Sequence, residues 1–104
     1  MNNILIQDIN YVLDEIITIS DYFYQQKYND GYSALDQVID HLIKITDSIF
    51  AYKKTEGLAF DENKWMQSFT MAMKAIEEKD GVLLADLLSL EIAKQLEDVL
   101  RRII

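Results

Sequence analysis

The sequence predicts an all-α protein, an up-down-up-down antiparallel four-helix bundle. Three observations carry this. Apolar residues recur every three or four positions through most of the chain, no segment alternates with the two-residue period of a half-buried strand, and the 104 residues include no proline to break a long helix. A chain of this length is expected to form one domain, residues 1–104, and half of its residues are apolar, enough for a sizeable core.

In the first helix, expected from Asn3 to Lys27, Ile6, Ile9, Leu13, Ile16, Ile17, Phe23 and Tyr24 share one side. Tyr28-Asn29-Asp30-Gly31 reads as a corner, where Asn and Gly tolerate positive φ and Asn29 or Asp30 caps the next helix. The second helix carries Tyr32, Leu35, Val38, Ile39, Leu42, Ile43, Thr46, Ile49 and Phe50 on one stripe, and its end is placed near Tyr52. Lys53 to Phe60 is the longest irregular stretch, with Leu58 and Phe60 expected to plug one end of the core.

Asp61 is the N-cap of a third and shortest helix, with Glu62 in its first turn, where a carboxylate interacts well with the helix dipole. Trp65, Phe69, Ala72, Met73 and Ile76 follow at helical spacing, and the helix ends near Lys79. After an Asp80-Gly81 corner, the fourth helix buries Leu84, Ala85, Leu88, Ile92, Leu96, Val99 and Ile103 and closes on the cations Arg101 and Arg102. Asp30-Gly31 with Asp36 is echoed fifty residues later by Asp80-Gly81 with Asp86, which reads as one corner solution used twice, with a duplicated hairpin as the alternative. Two corners are too few for a solenoid.

The stretch Ala75-Ile76-Glu77-Glu78-Lys79-Asp80, followed by Leu83 to Leu88 and Glu91, resembles the closing hairpin of small, uncharacterised all-helical proteins of Gram-positive bacteria. Tyr28 to Leu35 is similar in the same way. The resemblance implies a helical fold and brings with it no activity, substrate or catalytic residue.

Composition excludes several function classes. Ten basic against 18 acidic side chains give a net charge of −8, which repels phosphate backbones and anionic lipid headgroups, so neither nucleic acid nor a membrane is an expected partner. Without cysteine there is no disulfide framework, thiolate metal site or cysteine nucleophile. The N-terminus has no basic region ahead of an apolar run, and a cytoplasmic location is the expectation. The glycines at 31, 57 and 81 are too scattered to cradle a phosphate.

No catalytic, cofactor-binding or metal site is expected. His41 is the only histidine and falls beside Gln37, Lys44 and Ser48, so it reads as a solvated surface residue. Asp36, Asp40 and Asp47 form an acidic line on the second helix; hard cations need converging oxygens from several elements, and the line reads as a solvated face with Lys44 paired to Asp40. Asp86 is expected to bond the third corner or a lysine.

What remains is surface. Leu83, Leu87 and Leu90 sit within about 60° of one another at helical spacing and outside the core stripe of the fourth helix. An exposed leucine row invites a protein partner or a second copy of the chain, unless the bundle buries that helix on two sides. Ile4, Tyr11 and Tyr22 form a second line away from the core stripe of the first helix. The expected function is a non-enzymatic helical interaction or chaperone-like module, comparable on architecture alone with flagellar secretion chaperones, that accepts a helix in a groove. The alternative is a ligand sensor or enzyme with a pocket at the aromatic corner formed by Tyr24, Tyr28 and Tyr32.

Overall fold

The computed structural model describes residues 2–104, with side-chain surroundings from Asn3 onward. The order is α1 (Asn2–Tyr24), α2 (Tyr28–Glu56), α3 (Glu62–Glu77), α4 (Gly81–Asp86), a π-helical stretch (Leu87–Ile92) and α5 (Ala93–Ile103). The last three run on without a break, since the junction residues Asp86, Leu87, Ile92 and Ala93 all keep right-handed helical dihedrals. Four antiparallel rods result, in an all-α bundle of 40 × 24 × 19 Å.

The cores of the first three rods follow one rule. Leu5, Ile9, Val12, Ile16, Ile19 and Phe23 of α1 step by four and three alternately, as do Gly31, Leu35, Val38, Leu42, Ile45 and Ile49 of α2 and Trp65, Ser68, Ala72 and Ala75 of α3. This is the heptad-like spacing that keeps one seam inward when helices pack at a shallow angle. It rotates the expected stripes slightly. Ile17, Tyr24, Ile43 and Met73, expected inside, are exposed, while Leu5, Val12, Ile19 and Ile45 take the core positions.

The fourth rod breaks the rule. Leu84, Leu88, Ile92 and Leu96 are all buried as the sequence predicts, but they are separated by three successive steps of four. At 3.6 residues per turn such a run drifts by about 120° around a regular helix. The π turn absorbs the drift: the Ala93 N–H reaches back five residues to the Leu88 carbonyl.

The corners also differ in detail. α1 ends at Tyr24, three residues early, and the first corner is Gln25 to Lys27, with Gln26 in the left-handed region (φ 62°). Tyr28, Asn29, Asp30 and Gly31 are already the first turn of α2, and neither Asn29 nor Asp30 caps it. α2 runs on to Glu56 and closes at Gly57, whose positive φ of 73° lets its N–H bond the Lys53 carbonyl. Asp61 caps as expected, accepting from the Lys64 N–H at 3.0 Å, and Asp80 at the third corner caps the fourth rod in the same way, accepting from the Leu83 N–H at 3.0 Å.

α1 packs against α2 on one side and the fourth rod on the other, and α3 packs against the fourth rod. The fourth side of the square, between α2 and α3, is wider and is spanned mainly by side chains.

Candidate interaction site

The wide side of the bundle is held open by Trp65. Its indole is fully buried and its Nε1–H donates to Thr46 Oγ1 at 2.9 Å, while Thr46 in turn donates to the Leu42 carbonyl at 2.7 Å. The hydroxyl satisfies a buried donor that an aliphatic residue would leave unpaired. Phe60 packs between Phe50 and Trp65, with ring centroids 6.1 and 5.8 Å away, and Trp65 meets Phe69 edge-on at 5.4 Å. Leu58 is buried beside this row, so the loop closes the core end as predicted. Lys53 clamps the same end by donating to the Phe60 carbonyl and to Glu62 Oε2, both at 2.8 Å.

Above this aromatic floor lies a notch of about 160 Å³ lined by Ile43, Thr46, Asp47, Met66 and Phe69. Ile43 is 53% exposed and Met66 is 48% exposed. Met73 lies seven residues beyond Met66, on the same face of α3, and is exposed too. Water-facing apolar side chains converging from two helices form a surface on which another apolar group can be buried. Periodicity alone does not reveal it, because helical spacing places Ile43 and Met73 on the core stripes.

The expected surface residues are not brought together. Leu87 is only 5% exposed: this part of the fourth rod packs against both α1 and α3, which breaks the predicted row. Leu83 and Leu90 remain outside at 40% and 52% exposure. Leu90 borders an open, largely charged cleft with Lys64, Glu91, Lys94 and Asp98, whose carboxyl the Arg102 guanidinium holds below the usual carboxylate range. Ile4 and Tyr11 are exposed and Tyr22 is half-buried.

Tyr11 covers a contact between α1 and α2. His41 Nδ1 lies 2.7 Å from Glu15 Oε1, and the Tyr11 ring meets the imidazole edge-on at 5.4 Å. His41 is therefore half-buried and ties α1 to α2, instead of standing in solvent; its partner comes from another helix, which spacing within α2 does not reveal. Asp86 is bonded by neither the corner nor a lysine. The Tyr24 hydroxyl donates to its Oδ1 at 2.5 Å, and this bond pushes the phenol above its usual range.

Lys44 pairs with Asp40 at 3.1 Å, as expected for residues four apart, whereas Asp36 and Asp47 have no ion-pair partner among the described residues. At the aromatic corner, Tyr28 and Tyr32 border a second open cleft with Glu78, Lys79, Asp80 and Val82. Tyr24 lies elsewhere, on Asp86 and Ser89. Among the described residues no group of three or more acidic or histidine side chains could hold a metal ion, and no helix is long and apolar enough to cross a membrane.

The family model for a domain of unknown function, DUF8042, matches residues 5–102. The chain belongs to this family. No curated protein and no solved structure matches it. The match takes in all four rods of the DUF8042 bundle, including both helices that form the notch.

Proposed function

We propose that this DUF8042 chain is a non-enzymatic interaction module that holds a protein partner on the α2–α3 side of its bundle. One observation supports this above others: Ile43, Met66 and Phe69 converge on a surface notch that the chain's own core leaves uncovered. An apolar recess between helices is the geometry in which helix-in-groove recognition works. The proposed roles of the exposed Leu83, Leu90, Ile4 and Tyr11, and of the half-buried Tyr22, are secondary contacts, because they lie apart from one another; a dimer through them belongs to the same reading. The charge of −8 argues against nucleic acid and anionic membrane as partners, and a cytoplasmic setting in a Gram-positive bacterium goes with the sequence resemblance.

The test is co-purification from the native cell, with wild type compared against an Ile43→Glu/Met66→Glu double variant and an Ile4→Glu control. The proposal requires a stoichiometric partner that the notch variant loses and the control keeps. Equal recovery with all three proteins, or no partner with any, contradicts it.

A second reading rests on Tyr32, whose buried hydroxyl has no hydrogen-bond partner among the described residues although the residue borders the cleft at the first corner. A polar small molecule seated there would satisfy it. A metabolite that raises the melting temperature of wild type but not of Tyr32→Phe would support this reading over the first.

A further inference from the structure

We infer that the occupant of the α2–α3 notch is an amphipathic helix whose apolar stripe is flanked by lysine or arginine. This rests on the interaction reading above and adds the chemistry of the partner. Length comes first. α3 has 16 residues, so the side of the bundle it shares with α2 offers about 24 Å, room for roughly four turns of a partner helix. On α3 the partner would meet Met66, Phe69 and Met73, which are spaced by three and four residues like the anchors of the helix they would receive. Two of the three are methionines, unbranched and adaptable, suited to a stripe whose side chains vary in shape.

Charge selects the flanks. On α2, Asp36, Asp47 and Asp40 project about 20 to 60° beyond Ile43, forming the outer rim of the notch, and Glu77 occupies the matching edge of α3. Asp47 also lines the notch itself. All four carboxylates are exposed, and among the described residues only Asp40 is paired, to Lys44. One cation, Lys54, stands on the α2 rim near its end. A second copy of the chain would bring the same carboxylates against this rim, and like charges across an interface disfavour that partner. Cations beside an apolar stripe would meet them in complementary register.

The experiment is calorimetric titration of the full chain with two synthetic 18-residue helices that share one leucine and phenylalanine stripe, flanked in one by lysine and in the other by glutamate. The lysine peptide should bind at one per chain, weaken as salt is raised, and lose about tenfold in affinity to an Asp36→Asn/Asp40→Asn/Asp47→Asn variant. An Asp8→Asn/Asp14→Asn/Asp21→Asn variant removes the same charge from α1 and should stay within about twofold of wild type, which separates the rim from a general attraction of cations to an acidic protein. Equal affinity for both peptides, equal losses in the two variants, or a self-association that buries Met66 would overturn the inference. Should the titration fail while the Ile43→Glu/Met66→Glu protein still loses its cellular partner, the partner chemistry is wrong and the interaction reading stands. If both fail, both are wrong.

Discussion

Gly31 and Gly81 lie fifty residues apart in the chain and meet on one phenyl ring: a β-carbon at either position would stand 2.8 Å from Phe23. Phe23 closes the core from the end of α1 and is fully buried, so its ring has nowhere to go. The two glycines begin α2 and the fourth rod, and their missing side chains let both helix starts close on the ring together. This accounts for the Asp-Gly echo as shared packing, at residues that need no unusual φ.

Gly31→Ala and Gly81→Ala should therefore each destabilise the protein. Overpacking costs about 1 to 3 kcal/mol, against up to about 1 kcal/mol gained in helix propensity. Urea denaturation checks this, and Phe23→Leu should blunt the effect of either alanine. An alanine variant more stable than wild type would contradict the packing argument.

Tyr24→Phe should cost less than about 1 kcal/mol, because the Asp86 bond it removes is partly exposed. Its pH dependence has a definite sign. The folded phenol titrates above its unfolded value of 10.0, so the contribution is complete below that pH and is lost as pH rises through the folded value. NMR titration of the Tyr24 ring, beside denaturation of both proteins from neutral pH to above 10, would reveal a stability gap that closes only at the alkaline end.

A π turn accommodates one residue more than a regular helix would, so deleting Leu90 should restore an α-helix while leaving Leu84, Leu88 and Leu96 in phase. We expect that deletion to fold with a loss of no more than about 1 to 3 kcal/mol, as for a modest core rearrangement. Deleting Glu97 instead rotates Val99 and Ile103 by about 100° and should largely unfold the chain. Circular dichroism melts distinguish the two.

The Glu15–His41 pair joins α1 to α2 at half-buried positions. A double-mutant cycle with Glu15→Gln and His41→Gln at neutral pH should give a coupling of about 1 kcal/mol, above that of the solvent-exposed Asp40–Lys44 pair. Equal couplings would mean that burial adds nothing.

Much of the fold was legible in sequence because its signals are local: the absence of proline, the three-to-four spacing and the Asp61 cap each act within a turn or two. The site was less so. Ile17, Ile43 and Met73 are apolar and correctly spaced, and only the placement of neighbouring helices decides that they face outward. Leu87 falls outside the core stripe by periodicity alone, and only the packing of that stretch against both α1 and α3 buries it, whereas the π turn does carry a sequence signature in the steps of four from Leu84 to Leu96. Contacts such as Glu15–His41 and Tyr24–Asp86 join residues 26 and 62 positions apart, and no periodicity within one helix encodes them.

The most direct measurement is methyl NMR of the methionines of α3 in the presence of the co-purified partner. Met66 lines the notch and Met73 lies beyond it on the same face of α3, while Met71 is equally exposed, at 49%, on roughly the opposite flank of the same helix. The account predicts that the Met66 and Met73 methyl signals shift on binding and that Met71 stays in place. Shifts at Met71 with Met66 unmoved, or no shifts at all in a complex that forms, would contradict it.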